Sequence, residues 1–576
     1  MASLAQKLTE IMGAAFAAQG LPPELGLVRV SDRPDLAQFQ CNGAMAGAKI
    51  LGKKPREVAE AVVQTLSGND IFSKIEIAGP GFINLNVTDE FLAGHVADLG
   101  ARFGVAEAKP ETIVLDYGGP NIAKPMHVGH LRSSIIGDAL RRMFLFAGYK
   151  AIGDVHMGDW GTPMGQIISE LELRGRLNAP VTMEELEEIY PAASNACKAD
   201  EARAELARAA TVKLQDGDPV YRAVWKNFID VSIAGMKKNF DALGVHFDLW
   251  KGEASVHDRI APMVAALKKQ GLAVESDGAV VVNVALDSDK KEVPPLILYK
   301  RDGAVMYGTT DLATIVERVE ENKPTKIIYV VDQRQGLHFE QVFRAAKKSG
   351  IAPEGVELIH AGFGTMNGTD GKPFKTRTGG VMKLEDLIQM GVDKATARIA
   401  EAELAQDASA AERADIAKKV AIAAIKFADL QNNRVADYVF DIDRMTAFEG
   451  KTGPYLLYQA VRIKSLLGKA ESQNLGISEY QNGSEILIQD ADRSLALLLT
   501  QFSDYFSQAL RDCAPHVLCD YAFTLAQAFS SFYGACHILS EHDAALRASR
   551  LALCAMTFQQ LELVLSLLGI EIPERM

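Results

Sequence analysis

The chain has 576 residues, 48% of them hydrophobic and 23% charged, with a formal net charge of −13. That length exceeds a single hydrophobic core and predicts about three to four domains of ordinary globular composition. The acidic balance argues against a general nucleic-acid coat but leaves room for a local phosphate or RNA site, because patches rather than totals bind phosphate.

The six cysteines, Cys41, Cys197, Cys513, Cys519, Cys536 and Cys554, are dispersed and form no CxxC pair. They predict neither a zinc site nor a disulfide framework, and so a reducing compartment. The first twenty residues contain Lys7 and Glu10 and read as an amphipathic helix rather than a signal peptide. No apolar run reaches the roughly 18 residues needed to span a bilayer. A cytoplasmic protein without a membrane segment is expected.

In chain order, Ala2–Ala18 and Pro55–Leu66 have apolar residues at helical spacing, and 75–78 and 82–87 read as strands joined by the Gly79-Pro80-Gly81 turn. Residues 1–105 are therefore expected to form a small α+β domain. Ile113–Tyr117 predicts a buried strand and Leu131–Phe146 a helix, so Asp116–Arg132 is a strand–loop–helix transition. Pro120 and Pro125 keep the loop out of helix. His127, His130, Lys124 and the helix N-terminus together suit a polyphosphate, and Gly129 leaves the backbone open to a flat ring. Two histidines three apart also occur at polar helix starts and in metal sites. A second strand, Tyr149–Val155, leads to Asp159 and Trp160, read as a pocket wall or as a cap and a core aromatic. From about 171 to 295 the pattern is helical and charged, with Val280–Val284 read as a strand returning to the sheet. Strand Lys326–Val331 follows. If a helix has begun by Tyr307, Tyr307 and Asp311 share a face. Gly371–Gly380 is a glycine-rich basic loop with Lys372, Lys375 and Arg377, suited to closing on a triphosphate. Residues 384–450 are helical and charged, and 451–576 read as a helix bundle. That last segment has 9 Lys and Arg against 13 Asp and Glu, so charge alone would not name it an RNA-binding domain.

The pattern Pro120-Asn-Ile-Ala-Lys-Pro-Met-His-Val-Gly-His-Leu-Arg132 resembles the HIGH motif of class I aminoacyl-tRNA synthetases, and within them that of arginyl-tRNA synthetases. The match runs over almost the whole chain and is weakest at 171–295. The resemblance implies a multidomain α/β fold: a tRNA-contacting additional domain at 1–105, a split Rossmann-like catalytic domain at 106–383 with its helical insertion, a stem-contact linker at 384–450, and an anticodon-binding helix bundle at 451–576. It implies activation of L-arginine by ATP with Mg2+, transfer to tRNA(Arg), a tRNA requirement for activation, and a monomer without a structural metal. Catalytic roles are implied for Lys124, His127, His130, Lys375 and Arg377. ATP contacts are implied at Pro120, Asn121, Ala123, Lys124, His127, Gly129, His130, Phe363, Gly364, Met366, Lys372 and Lys375. The arginine site is implied at Asp116, Asn121, His130, Tyr307, Asp311 and Gln335, with Asp116 and Asp311 meeting the guanidinium fork together. Contacts to tRNA are implied at Phe39, Gln40, Asn42, Tyr455, Tyr458, Tyr533 and Met576. At the KMSKS position the second lysine is replaced by Thr376, and Lys124 is expected to supply its charge. Another nucleotidyl-transferring HxGH enzyme or a synthetase of another specificity, and a synthetase-like RNA-binding protein without activity, are the alternatives. The first would not keep the paired acids, and the second would have lost motif residues.

Overall fold

The computed structural model describes residues 3–301, 303–372, 374, 381–473, 475 and 487–576. At the N-terminus, α1 (Leu4–Ala17) starts at a capping box between Ser3 and Gln6. β1 (Val28–Val30), β2 (Phe39–Cys41), α2 (Ala44–Leu51), α3 (Pro55–Gln64), β3 (Phe72–Ala78) and β4 (Phe82–Val87) follow, then α4 (Asp89–Ala97). The four strands form one antiparallel sheet in the order β1-β2-β4-β3. Gly79 takes the left-handed φ of 52° that the β3–β4 turn requires.

The next stretch builds a parallel sheet. β5 (Thr112–Asp116) passes through the histidine-bearing loop into α5 (Leu131–Ala147) and returns as β6 (Lys150–Asp154). The helices α6 (Thr162–Leu173), α7 (Met183–Ala199), α8 (Glu201–Gln215), α9 (Pro219–Leu243) and α10 (His257–Lys269) form the insertion. After it come β7 (Ala273–Ser276), β8 (Ala279–Val282), β9 (Leu296–Tyr299), α11 (Tyr307–Asn322), β10 (Lys326–Tyr329), α12 (Gly336–Ser349) and β11 (Glu357–His360). The parallel strands run β11-β10-β5-β6, so the two halves of the fold meet where β10 pairs with β5. β5 reads as an unbroken apolar run because both faces are covered. One expectation is corrected. The Val280–Val284 strand does not return to this sheet; β8 is the middle of a separate antiparallel sheet, β7-β8-β9, which packs on α10, α11 and α12 around Val282, Leu296, Leu298 and Leu312.

β12 (Met366–Asn367), α13 (Leu384–Glu401), α14 (Ala410–Leu430), β13 (Tyr438–Val439) and α15 (Ile442–Met445) complete this region, with β12 pairing parallel to β13. The C-terminal part is helical: α16 (Gly453–Ser472), α17 (Asp490–Leu499), α18 (Phe502–Arg511), α19 (Pro515–Ala535) and α20 (Ala544–Leu567). The chain divides into two compact units. One holds 1–107, 455–566 and 572–576; the other holds 108–454 and 567–571. Among the described residues no helix is long and apolar enough to cross a membrane.

Candidate active site

At the end of β5 the chain turns through Gly118 and Gly119, at φ 86° and 42°, and Ala123, at φ 60°, before a single turn at 128–130 opens α5. Two hydrogen bonds fix the histidines. His127 Nδ1 accepts from the Gly129 N–H at 3.0 Å, and His130 Nδ1 accepts from the His127 N–H at 3.1 Å. The ring centroids lie 4.0 Å apart. With both Nδ1 atoms accepting, both rings carry their proton on Nε2 and present it as a donor. Burial first, and then the neighbouring ring and Lys124, push His130 down to about 3; burial and Lys124 lower His127. Both are therefore neutral donors at pH 7; of the motif's cations, Arg132 is paired with Asp429 and Lys124 makes no ion pair among the described residues. Gly129 is required locally: a Cβ there would fall 2.8 Å from the His127 ring.

The chain beyond the basic loop returns to this motif. Val128 N–H donates to Met382 O and Leu384 N–H to Met126 O, each at 3.0 Å, with Lys383 bridged antiparallel to His127. On the other side of the loop, Phe374 N–H donates to Met366 O at 3.0 Å. Lys372 is exposed on the turn. Lys375, Thr376 and Arg377 lie outside the described residues. Buried Arg132 pairs with Asp429 at 3.1 Å, donates to Ala436 O at 3.0 Å, and stacks over Tyr438 and Phe363. The 434–437 segment that it holds supports Gly364 and Thr365 through Arg434 O and Asp437 Oδ1.

A second cluster lies at the carboxyl ends of the strands. Asp154, Asp116 and Tyr329 stand in register across β6, β5 and β10. Arg318 of α11, 2% exposed, reaches both carboxylates, at 2.6 Å to Asp116 and 2.7 Å to Asp154, and packs over the Tyr329 ring. This corrects the expectation that Asp116 and Asp311 meet one external fork. Asp116 is 9% exposed and already faces an internal guanidinium. Asp311 has a different partner. α11 begins at Tyr307, so the two residues share a face as the spacing predicts, and Asp311 Oδ2 lies 2.5 Å from His338 Nε2. Tyr307 is 72% exposed, and Gln335 is exposed just before α12. Near Asp311 are two further acids. Burial, then Asp159 and Asp311, push Glu253 up to about 7. Asp159 accepts from the Ala254 N–H at 2.9 Å, and Gly252 lacks the Cβ that would fall 2.4 Å from its carboxyl carbon. Among the described residues no lysine or arginine pairs with Glu253. Glu253, Asp159 and Asp311 thus form a cluster of neighbouring acids.

Of the remaining expected residues, Asn121 is exposed, with its side chain over Gly158. Pro120 is buried; Ala123 is 1% exposed and gives its N–H to Ser232 Oγ at 2.8 Å, so it offers no donor to a ligand. Phe363 and Met366 are 6% and 7% exposed, and the Gly364 N–H is taken by Arg434 O. Phe39 is also corrected. At 1% exposure it cannot stack on a base, because the β2 alternation turns Phe39 and Cys41 inward and Gln40 outward. Gln40 donates to Asn84 at 2.9 Å, and Asn42 is exposed. In the C-terminal helices Tyr458, Tyr533 and Met576 line a cavity of about 240 Å³ with Arg462 and Lys469. The Arg462 guanidinium sits 4.0 Å from the Tyr533 ring centre. Tyr455 lies outside this cavity, edge-on to Phe523. Sequence reading does not single out Arg318, His338 or Glu253.

Comparison with known proteins matches three parts of the chain to described families. Residues 95–442 match the family described as tRNA synthetases class I (R), catalytic domain. Residues 2–87 match the arginyl tRNA synthetase N terminal domain, and 456–576 the DALR anticodon binding domain. The arginine–tRNA ligase of Maricaulis maris (strain MCS10) is 50% identical over the full length of both chains, and that of Hyphomonas neptunium (strain ATCC 15444) is 49% identical, also over both full chains. The arginyl-tRNA synthetase structure from Plasmodium falciparum superposes with a TM-score of 0.84 at 25% identity, covering both chains completely. The Thermus thermophilus arginyl-tRNA synthetase shares the fold at a TM-score of 0.78 and 21% identity, again over both full chains. With the motif, the parallel sheet and the full-length relatives in agreement, the chain belongs to the arginyl-tRNA synthetase family.

Proposed function

We infer that this chain activates L-arginine with ATP and transfers it to tRNA(Arg). An arginine carboxylate oxygen attacks the α-phosphorus in line, a new P–O bond forms, and pyrophosphate leaves. A ribose hydroxyl of the terminal tRNA adenosine, the 2′-OH first, then attacks the adenylate carbonyl. The ester forms, AMP leaves, and the hydroxyl proton passes to solvent. ATP enters as its magnesium complex, which is part of the substrate.

In this reading the protein contributes position and charge stabilisation, and forms no covalent bond itself. The fixed Nε2–H donors of His127 and His130, with Lys124, face the triphosphate; Lys375 and Arg377 approach from the basic loop. The observation that carries the reading is the return of 382–384 onto 126–128, which ties the end of the basic loop to the histidine motif. Asp311, with Tyr307, Gln335 and Asn121, receives the amino acid. A planar guanidinium suits a carboxylate that accepts two bonds, whereas the lysine ammonium does not match that geometry. Residues 1–105 and 451–576 serve as tRNA-contacting parts, with Tyr458, Tyr533 and Met576 at the base-stacking cavity and 384–450 along the stem. The enzyme acts as a cytoplasmic monomer. Pyrophosphate exchange tests the scheme: arginine-dependent exchange is expected with tRNA and not without it, and exchange that ignores tRNA would overturn the tRNA-dependent step.

A further inference from the structure

We propose that Tyr190, on the inserted helix α7, is a positioning residue that holds the Lys124 ammonium beside the histidine motif without neutralising it. The Lys124 Nζ lies 4.6 Å from the centre of the Tyr190 ring. Among the described residues Lys124 makes no ion pair, which is unusual for a half-buried lysine in a chain with this many acids. A carboxylate at this place would fix the ammonium but cancel its charge and compete with phosphate. An aromatic face attracts the cation through its quadrupole and leaves the full charge available to an anion. The same ammonium contributes to holding both imidazoles neutral, so its place bears on the donors as well.

The helix that presents Tyr190 is braced at this spot. Its first turn is closed by a reciprocal cap, Thr182 with Glu185, at 3.3 Å and 3.0 Å. Leu186, Ile189 and Ala193 are buried along one stripe. One turn before Tyr190, Glu187 takes Lys383 at 2.7 Å, and Lys383 is bridged to His127. Positions 187 and 190 lie on one helix face. One face of α7 thus meets Lys124 of the motif through a ring, which leaves the cation free, and Lys383, bridged to the motif, through a carboxylate.

The proposal rests on the reading that Lys124 serves the triphosphate, and the test separates the two. The full-length enzyme is assayed for arginine-dependent pyrophosphate exchange with tRNA, and for calorimetric binding of α,β-methylene-ATP with magnesium. Tyr190→Leu is expected to lower the exchange rate and weaken the analogue roughly two- to thirtyfold, the range of a cation–π contact, with the arginine KM unmoved. Tyr190→Phe, which keeps the ring, recovers most of that loss. In the Lys124→Ala background Tyr190→Leu weakens the analogue no further. Wild-type behaviour of Tyr190→Leu beside a defective Lys124→Ala overturns the proposal alone. An undiminished loss in the Lys124→Ala background also overturns it, because Tyr190 would then act through packing. Full activity of Lys124→Ala overturns the proposal and the reading beneath it together.

Discussion

Replacing Arg318 with methionine tests whether the row of acids at the strand ends is held by an internal cation. Arg318 is 2% exposed and reaches Asp116 at 2.6 Å and Asp154 at 2.7 Å from one nitrogen. Methionine fills most of the volume but leaves two buried carboxylates on neighbouring strands facing each other. Removing one partner of a buried ion pair typically costs about 3–5 kcal/mol, because the charge left behind is neither solvated nor paired. The loss is measurable in isolation. All three tryptophans, Trp160, Trp225 and Trp250, lie in the unit that holds 108–454, so indole fluorescence in urea follows that unit. At pH 7 the Arg318→Met midpoint should fall by the equivalent of about 3–5 kcal/mol. The deficit should shrink toward pH 5, where protonation removes the uncompensated charges. A change below about 1 kcal/mol would refute the reasoning, since an exposed pair is worth no more.

Three further outcomes follow from the site. Asp311→Asn should raise the arginine KM; its side chain is 25% exposed, so the lower end of a lost charge pair applies, about 2 kcal/mol or roughly thirtyfold, and steady-state kinetics with an unchanged KM would exclude it from recognition. His130→Ala should slow adenylate formation by about 3 kcal/mol, roughly a hundredfold, with arginine binding little changed; undiminished single-turnover rates would remove it from the mechanism. Glu253, pushed up to about 7, keeps its proton in the folded free enzyme while an unfolded chain loses it near 4.5, so its contribution to stability is present at low pH and declines between those values. A bound guanidinium favours the ionised carboxyl, so calorimetry should show arginine affinity rising toward pH 7 with proton release, then levelling. Glu253→Gln should abolish that slope. A slope that persists would refute this role for Glu253.

The parts of the fold that the sequence revealed are those set by local pattern. β5 and α5 were legible because an apolar run and a helical spacing flank a loop with two prolines, and the start of α11 at Tyr307 decided that Tyr307 and Asp311 share a face. What stayed hidden depends on distant partners. A short valine-rich run such as 280–284 reads the same in either sheet, and only its antiparallel neighbours β7 and β9 decide between them. Arg318 sits among Glu317, Glu320 and Glu321, which reads as a solvated helix face, yet it turns inward to acids some 160 to 200 positions earlier. Asp116 reads as a substrate ligand for the same reason: the sequence shows its chemistry and not its partner Arg318. Phe39 reads equally as a base-stacking residue or as a buried aromatic beside the Asn42-Gly43 turn, and the β2 alternation, which buries it, decides for the second. Glu253 and Tyr190 belong to the insertion, where the resemblance was weakest and charged residues outnumber pattern.

This chain is expected to join arginine, and no other amino acid, to tRNA. One aminoacylation assay tests it most directly, using the purified full-length chain, total tRNA, ATP with magnesium, and each of the twenty standard amino acids labelled in turn. Acid-precipitable label should appear with arginine alone. Charging with a different amino acid, or with none of them, would contradict the account.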